Sequence, residues 1–249
     1  MFASEKLTDL KNNLSIIVIN SFTNIRTEII NFIINCISVL FYLIIFATIL
    51  NKQVVNYIEF LLPGLIIINM LSAVSYQGLK IWNLGSTSKL MAYWLCLPYS
   101  LEFQLLSFSY MAVFSAFLYS LPLIVIGILL GFTINLQLWI VIILLGSLLL
   151  FFMNLLLVLF FFKTNSFAIV FNVSQPLMLR ISPIFYPLIY LPFFALPLSI
   201  LNPITWMVQS LRGEWSLVLS LLLFIVLNIV CYKVLISYWK KKILSGELI

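Results

Sequence analysis

The sequence predicts an all-α polytopic membrane protein, and three observations carry that expectation. Of its 249 residues, 64% are hydrophobic and 8% charged, where soluble domains are about one-quarter charged. Six apolar runs follow one another, each reaching the roughly 20 residues a helix needs to cross a hydrocarbon layer about 30 Å thick. Most of the basic residues lie between or at the edges of those runs, and most on one side of the expected crossings. That much apolar surface cannot be hidden from water by a chain of this length, and the runs leave little for a soluble domain.

The first element lies within 1–28. Leu7, Leu10, Leu14 and Ile17 recur at spacings of three and four, with Lys6, Asp9, Lys11 and Asn13 between them. This pattern describes an amphipathic helix too polar to cross a bilayer, one that lies in the interface or packs on the other spans. The opening MFASEKLTDLKNN lacks the basic region, apolar stretch and small-residue cleavage site of a secretory signal, so the first span is expected to stay in the mature protein.

A transmembrane domain is expected over 29–249, with spans near 29–50, 57–79, 101–130, 136–162, 166–186 and 215–238. The third is long enough to require tilt. The fifth differs from the others, because six of the nine prolines fall in or just after it: Pro176, Pro183, Pro187, Pro192, Pro197 and Pro203. Each removes a backbone donor and crowds the preceding turn, so one straight helix from 166 to 203 is excluded. Irregular backbone at membrane depth survives only where protein or a water-filled cavity surrounds it. The span is therefore expected to end near Tyr186, with a re-entrant segment over 187–213.

Counting Lys and Arg on alternate sides gives the orientation. One side collects Lys6, Lys11, Arg26, Lys80, Lys89, Lys163, Lys233, Lys240, Lys241 and Lys242, and the other keeps Lys52, Arg180 and Arg212. Cytoplasmic loops carry the excess of basic residues, so both termini are expected in the cytoplasm and the proline-rich segment outside.

Absent residues exclude several chemistries. The sequence has no histidine and one aspartate, Asp9, so an intramembrane serine–histidine protease, an HExxH metalloprotease and a two-aspartate protease each lack a required group. No G-x-x-x-x-G-K-[ST] phosphate cradle is present, and the chain cannot hydrolyse ATP by a P-loop mechanism. Cys36, Cys96 and Cys231 are odd in number and form no disulfide framework; they are expected to be packing residues. The net charge of +6 is spread along membrane edges, with no soluble module to present it to nucleic acid.

Charges inside apolar segments are the usual markers of a pathway. Glu28, Glu59 and Glu102 fall at or near span ends, where a carboxylate reaches headgroups or water. Arg180 is deeper, about 21 Å along the fifth span when counted from Ser166. It either snorkels to the outer surface or lines a polar cavity with Ser174, Gln175 and Ser182.

The loop between the second and third spans, 80–100, is the other informative stretch. Ser88 is a candidate N-cap, Pro98 a stop, and Leu90, Met91, Trp94 and Leu95 fall at helical spacing between them. A short helix with an apolar ridge toward the cytoplasm either docks a partner or rests in the headgroups.

In these features the chain resembles the ABC type-2 transporter permease family. The likeness is carried by Tyr57 with Leu62-Pro63-Gly64, by the loop from Gly85 ending Leu97-Pro98-Tyr99-Ser100, and by Pro183-x-x-Tyr186-Pro187 to Leu191-Pro192. This last stretch runs into Asn202-Pro203-Ile204-Thr205-Trp206 and then Arg212. Order and spacing over nearly the whole chain make the match. Two departures are Ser86, Thr87, Ser88 and Lys89 where family members carry an acidic residue after the loop glycine, and Gln209 where they carry one after Asn-Pro.

The resemblance implies the membrane-spanning subunit of an exporter in the cytoplasmic membrane. Two permease chains, identical or paralogous, would face each other around a pathway. Cytoplasmic ABC ATPase subunits, which hold the ATP and Mg, would dock on the coupling helix of Ser88, Leu90, Met91, Trp94 and Leu95. This chain would bind no cofactor or metal, supply no catalytic residue, and contact membrane lipids but not nucleic acid. Candidates for the pathway and its outer gate are Gln175, Arg180, Tyr186, Asn202, Pro203 and Arg212. A gradient-driven transporter and a non-transporting scaffold or sensor subunit are the alternative expectations.

Overall fold

The computed structural model describes residues 25–50, 57–86, 100–130, 132, 135–160 and 166–244. Among these the chain is all-helical. The helices are α1 (Ile25–Leu50), α2 (Tyr57–Ser86), α3 (Leu101–Leu129), α4 (Leu136–Phe160), α5 (Ser166–Ile181), α6 (Leu196–Leu201), α7 (Pro203–Leu211) and α8 (Leu217–Leu244), with a single 3-10 turn at Leu188–Tyr190. Residues 7–17 and the loop residues Ser88, Leu90, Met91, Trp94 and Leu95 lie outside the described residues.

Four helices are long and apolar enough to cross a membrane, within Tyr57–Ile81, Glu102–Leu129, Leu136–Phe160 and Val218–Lys241. Two shorter apolar stretches, Phe32–Ile45 in α1 and Ile169–Ile181 in α5, accompany them. The helix starts are capped where a side chain is available. Ser100 accepts from the Phe103 N–H at 3.3 Å and Asn135 from the Leu138 N–H at 3.3 Å, each satisfying one of the free donors of a first turn.

The core is built on α2. Leu61, Leu62, Leu65, Ile66, Ile67, Met70 and Val74 are all buried, because α3 and α4 pack along it, with α1 and α7 also against it. Its hydroxyls bond to their own helix: Ser72 donates to Ile68 O at 3.0 Å and Ser75 to Leu71 O at 2.5 Å, the usual solution for a hydroxyl in an apolar helix. Asn69 instead crosses to α3, donating to Tyr119 O at 3.2 Å. Apolar faces of α1, α3 and α8 point outward, exposing residues such as Ile33, Phe41, Tyr110, Phe114, Leu222 and Val230. Such faces suit contact with acyl chains rather than water.

Two glycines permit close crossings. A Cβ on Gly146 of α4 would strike the Met207 side chain of α7, and one on Gly64 of α2 would lie 2.6 Å from Ile184 Cγ2 and 3.1 Å from Ile184 O. Ile184 is fully buried in nonhelical backbone and cannot retreat as the flexible methionine can. Gly64→Ala is therefore expected to destabilise the fold by about 1–3 kcal/mol through overpacking. The expected readout is a lower thermal unfolding midpoint in detergent and faster proteolysis near residue 184; an unchanged midpoint would contradict the contact.

α5 ends five residues before the expected Tyr186 boundary. Pro183 rather than Pro187 stops it, since a residue preceding proline is pushed out of the α region, and Ser182 holds that place. Pro176, by contrast, is accommodated inside the helix.

Candidate functional site

The candidate site is the stretch from Ser182 to Glu214 together with the first turns of α2. Once α5 stops at Ile181, the carbonyls of the next residues have no helical partner, yet Ser182, Pro183 and Ile184 are buried. A buried carbonyl without a donor costs about 1–3 kcal/mol, so the question is what satisfies them.

Arg212 supplies most of the answer. Its Nη1 donates to Pro183 O at 2.6 Å, its Nη2 to Ile184 O at 2.8 Å, and its Nε to Phe60 O at 3.0 Å. The guanidinium carbon also sits 3.4 Å from the centroid of the Phe60 ring, a cation–π arrangement. One side chain thus bridges α2, the nonhelical segment after α5 and the end of α7. The next carbonyl along, Phe185 O, accepts from the Tyr57 hydroxyl at 2.9 Å. The guanidinium carries five N–H donors and no acceptor, which suits a pocket lined by carbonyl oxygens.

Asn202 is the second pin. Its Oδ1 accepts from Ile204 N–H at 3.1 Å, capping α7, while Pro203 occupies the first helical position, where a missing N–H does no harm. The Asn202 Nδ2 donates to Met178 O and to Ser182 Oγ, both at 2.8 Å, which ties the start of α7 to the end of α5. Behind it, Ser199 Oγ and Thr205 Oγ1 lie 3.1 Å apart, both buried. Asn202, Pro203 and Thr205 thus act as one helix-start module.

The remaining predicted residues divide. Gln175 donates from Nε2 to Ser75 Oγ and joins α5 to α2. Tyr186 donates its hydroxyl to Arg180 O, so it closes the break over the end of α5. Arg180 itself is exposed in the last turn of α5, and among the described residues its guanidinium meets no hydrogen-bond or ion-pair partner. Asn202, Arg212 and Tyr186 are brought together around the break after α5, with Arg180 at its edge; Gln175 pairs with Ser75 further along α2, outside that region. Phe60, Ser75 and Ser199 are participants that sequence reasoning missed. No local pattern marks them, since their partners lie far away in the chain or depend on a turn geometry.

No profile of a known protein family and no curated protein matches the chain. The chemistry of the site must therefore be read from its geometry. Among the described residues there is no cluster of three or more His, Cys, Asp or Glu that would hold a metal. Glu59 and Glu102 are exposed in the first turns of α2 and α3, and Glu102 lies 3.6 Å from Lys240 of α8. Both carboxylates sit at helix ends; Glu59 neighbours Phe60 in the chain, and its side chain is exposed rather than part of the buried polar cluster. What the arrangement can do is hold a nonhelical segment rigidly between two helices, with every carbonyl from Pro183 to Phe185 satisfied by a side chain rather than by water.

Proposed function

We propose that this chain is the membrane-spanning permease subunit of an ATP-driven exporter of the ABC type-2 class, working beside a separate cytoplasmic ATPase. The observation that carries the transport reading is the outer face of α5. Exposed faces of α3 and α8 are apolar through their middle turns, and the polar side chain exposed midway along α1, Ser38, donates to its own helix at Asn35 O, whereas α5 exposes Asn172, Pro176 and Arg180 among Ile169, Val173 and Leu177. The same helix packs only lightly on its own chain, chiefly along α4. Polar side chains are costly against lipid and mark pathways or protein contacts, so this face belongs to a pathway shared with a second permease chain.

In this reading α1 and α5 complete six spans. The 16 residues of α5 rise about 24 Å, short of a core about 30 Å thick, and the extended backbone after Ile181 finishes the crossing. Nonhelical backbone at that depth requires protein donors; Arg212 and Tyr57 meet that requirement. The stretch from 181 to 211 carries no charged residue, which suits a re-entrant segment better than a water-exposed loop. The ABC assignment draws further support from the Asn-Pro-x-Thr-aromatic stretch and its arginine, because Asn202 and Arg212 are the two residues that pin this segment. The charge bias puts both termini in the cytoplasm, with an interfacial helix before the first span, a coupling helix in the 80–100 loop, and ATP and Mg held by the partner ATPase.

Arg180 gives the test. With the chain reconstituted beside its ATPase, Arg180→Leu is expected to abolish export while membrane insertion and ATPase association persist. Normal export by Arg180→Lys and Arg180→Gln together would mean that the side chain only snorkels to the surface, and the α5 pathway would be lost with it.

A further inference from the structure

An open cavity of about 410 Å³ lies between the 3-10 turn, the start of α6 and the end of α7, lined by Pro187, Leu188, Ile189, Leu196, Gln209, Glu214 and Trp215. Its construction begins with Gly213, whose φ of +74° makes it the left-handed residue that closes α7. The Gly213 N–H bonds Ser210 O at 3.1 Å and the Glu214 N–H bonds Gln209 O at 3.0 Å. This pair of bonds is a Schellman motif, in which the two positions brought together, here Gln209 and Glu214, usually make an apolar contact. In this chain they are instead a carboxamide and a carboxylate lining one cavity.

The rest of the wall is rigid. Trp206 donates its indole N–H to Ile200 O at 2.6 Å, and its ring meets Trp215 edge-on with centroids 4.3 Å apart, which holds the Trp215 ring in place. Gln209 is 1% exposed and its Oε1 has no hydrogen-bond partner, a rare and unfavourable state for a buried acceptor. The charged group lining the cavity is Glu214. Arg212 is near enough to feel that charge, but its N–H groups are directed at Phe60 O, Pro183 O and Ile184 O. A carboxylate, an aromatic ring and aliphatic walls together suit one chemistry.

We propose that this cavity is a binding site for a hydrophobic ammonium ion, a protonated amine on a small aromatic or aliphatic body. The ammonium faces Glu214 and the Trp215 ring, while the apolar body lies on Leu188, Ile189 and Leu196. The volume matches that of small-molecule sites, about 300–1,000 Å³. The site does not depend on the transport reading, since it concerns binding alone.

The test uses the full chain in nanodiscs of zwitterionic phospholipid, titrated calorimetrically with phenethylammonium and, separately, with phenethyl alcohol, with empty nanodiscs subtracted. Saturable binding of the ammonium is expected, about threefold or more tighter than the alcohol, in keeping with one partly exposed ion pair and one cation–π contact. Glu214→Gln, an exposed position that leaves the fold intact, is expected to erase that preference. Leu196→Trp, which fills the cavity, is expected to remove binding of both. Equal affinity for amine and alcohol, a preference that survives Glu214→Gln, or no heat beyond that of empty nanodiscs would each overturn the proposal.

Discussion

Replacing Arg212 by leucine is expected to destabilise the protein by about 3–5 kcal/mol. The side chain makes three hydrogen bonds to carbonyls of Phe60, Pro183 and Ile184, and bonds to a charged group are worth about 1.5–3 kcal/mol each, though not additively. Leucine is close enough in size to fill much of the apolar stem's place, so the loss is chiefly that of donors. Pro183 and Ile184 are buried, and their carbonyls can recover only if the segment opens to water. The expected result is a lower thermal unfolding midpoint in detergent together with new protease sensitivity between Ser182 and Tyr186. Arg212→Lys should fall between the two, because an ammonium keeps the charge but cannot fork to three carbonyls or stack on Phe60. An unchanged midpoint in Arg212→Leu would show that the segment is held by something else.

Helix placement was largely legible in the sequence, because moving apolar surface out of water dominates where helices form in such a chain. The runs 101–130 and 136–162 correspond to helices Leu101–Leu129 and Leu136–Phe160. The run 57–79 stops short of helix Tyr57–Ser86, since hydropathy falls at Gln77 and Lys80 while helical hydrogen bonding continues. The proline cluster announced a break after α5 but not its position. Which proline ends a helix depends on whether the freed carbonyls find partners, and those partners, Arg212 and Tyr57, lie elsewhere in the chain. Attention in the sequence fell on Arg180 for its depth, whereas the arginine with buried partners is Arg212. Spacing alone cannot distinguish them, because the contact from Arg212 to Phe60 spans 152 residues. The Schellman turn at Leu211-Arg212-Gly213-Glu214, and with it the approach of Glu214 to Gln209, was not anticipated from the sequence, because the expected boundaries did not place the end of α7 there.

If the chain is the exporter subunit proposed above, replacing Trp94 and Leu95 together by glutamate is expected to weaken docking of its ATPase by at least about tenfold, and to abolish ATP-driven export with it. The sequence puts Leu90, Met91, Trp94 and Leu95 on one side of an expected helix between Ser88 and Pro98, in a loop that the charge bias assigns to the cytoplasm. A large apolar side chain buried at an interface contributes roughly 1.5–3 kcal/mol, and a carboxylate in its place adds desolvation without a partner. Either term alone reaches a tenfold change, which corresponds to about 1.4 kcal/mol. The spans should be untouched, since the buried residues of α2 and α3 lie on either side of this loop and pack on one another. The double variant should therefore insert and assemble with its second permease chain while failing to retain the ATPase on purification. A control pair, Phe193→Glu with Phe194→Glu on the exposed outer segment, should leave ATPase retention unchanged. If the helix merely rests in the headgroups, charges at 94 and 95 would impair insertion mildly and leave the ATPase bound in full stoichiometry. That result would remove the loop from the docking surface and the strongest link between this chain and an ATP-driven partner.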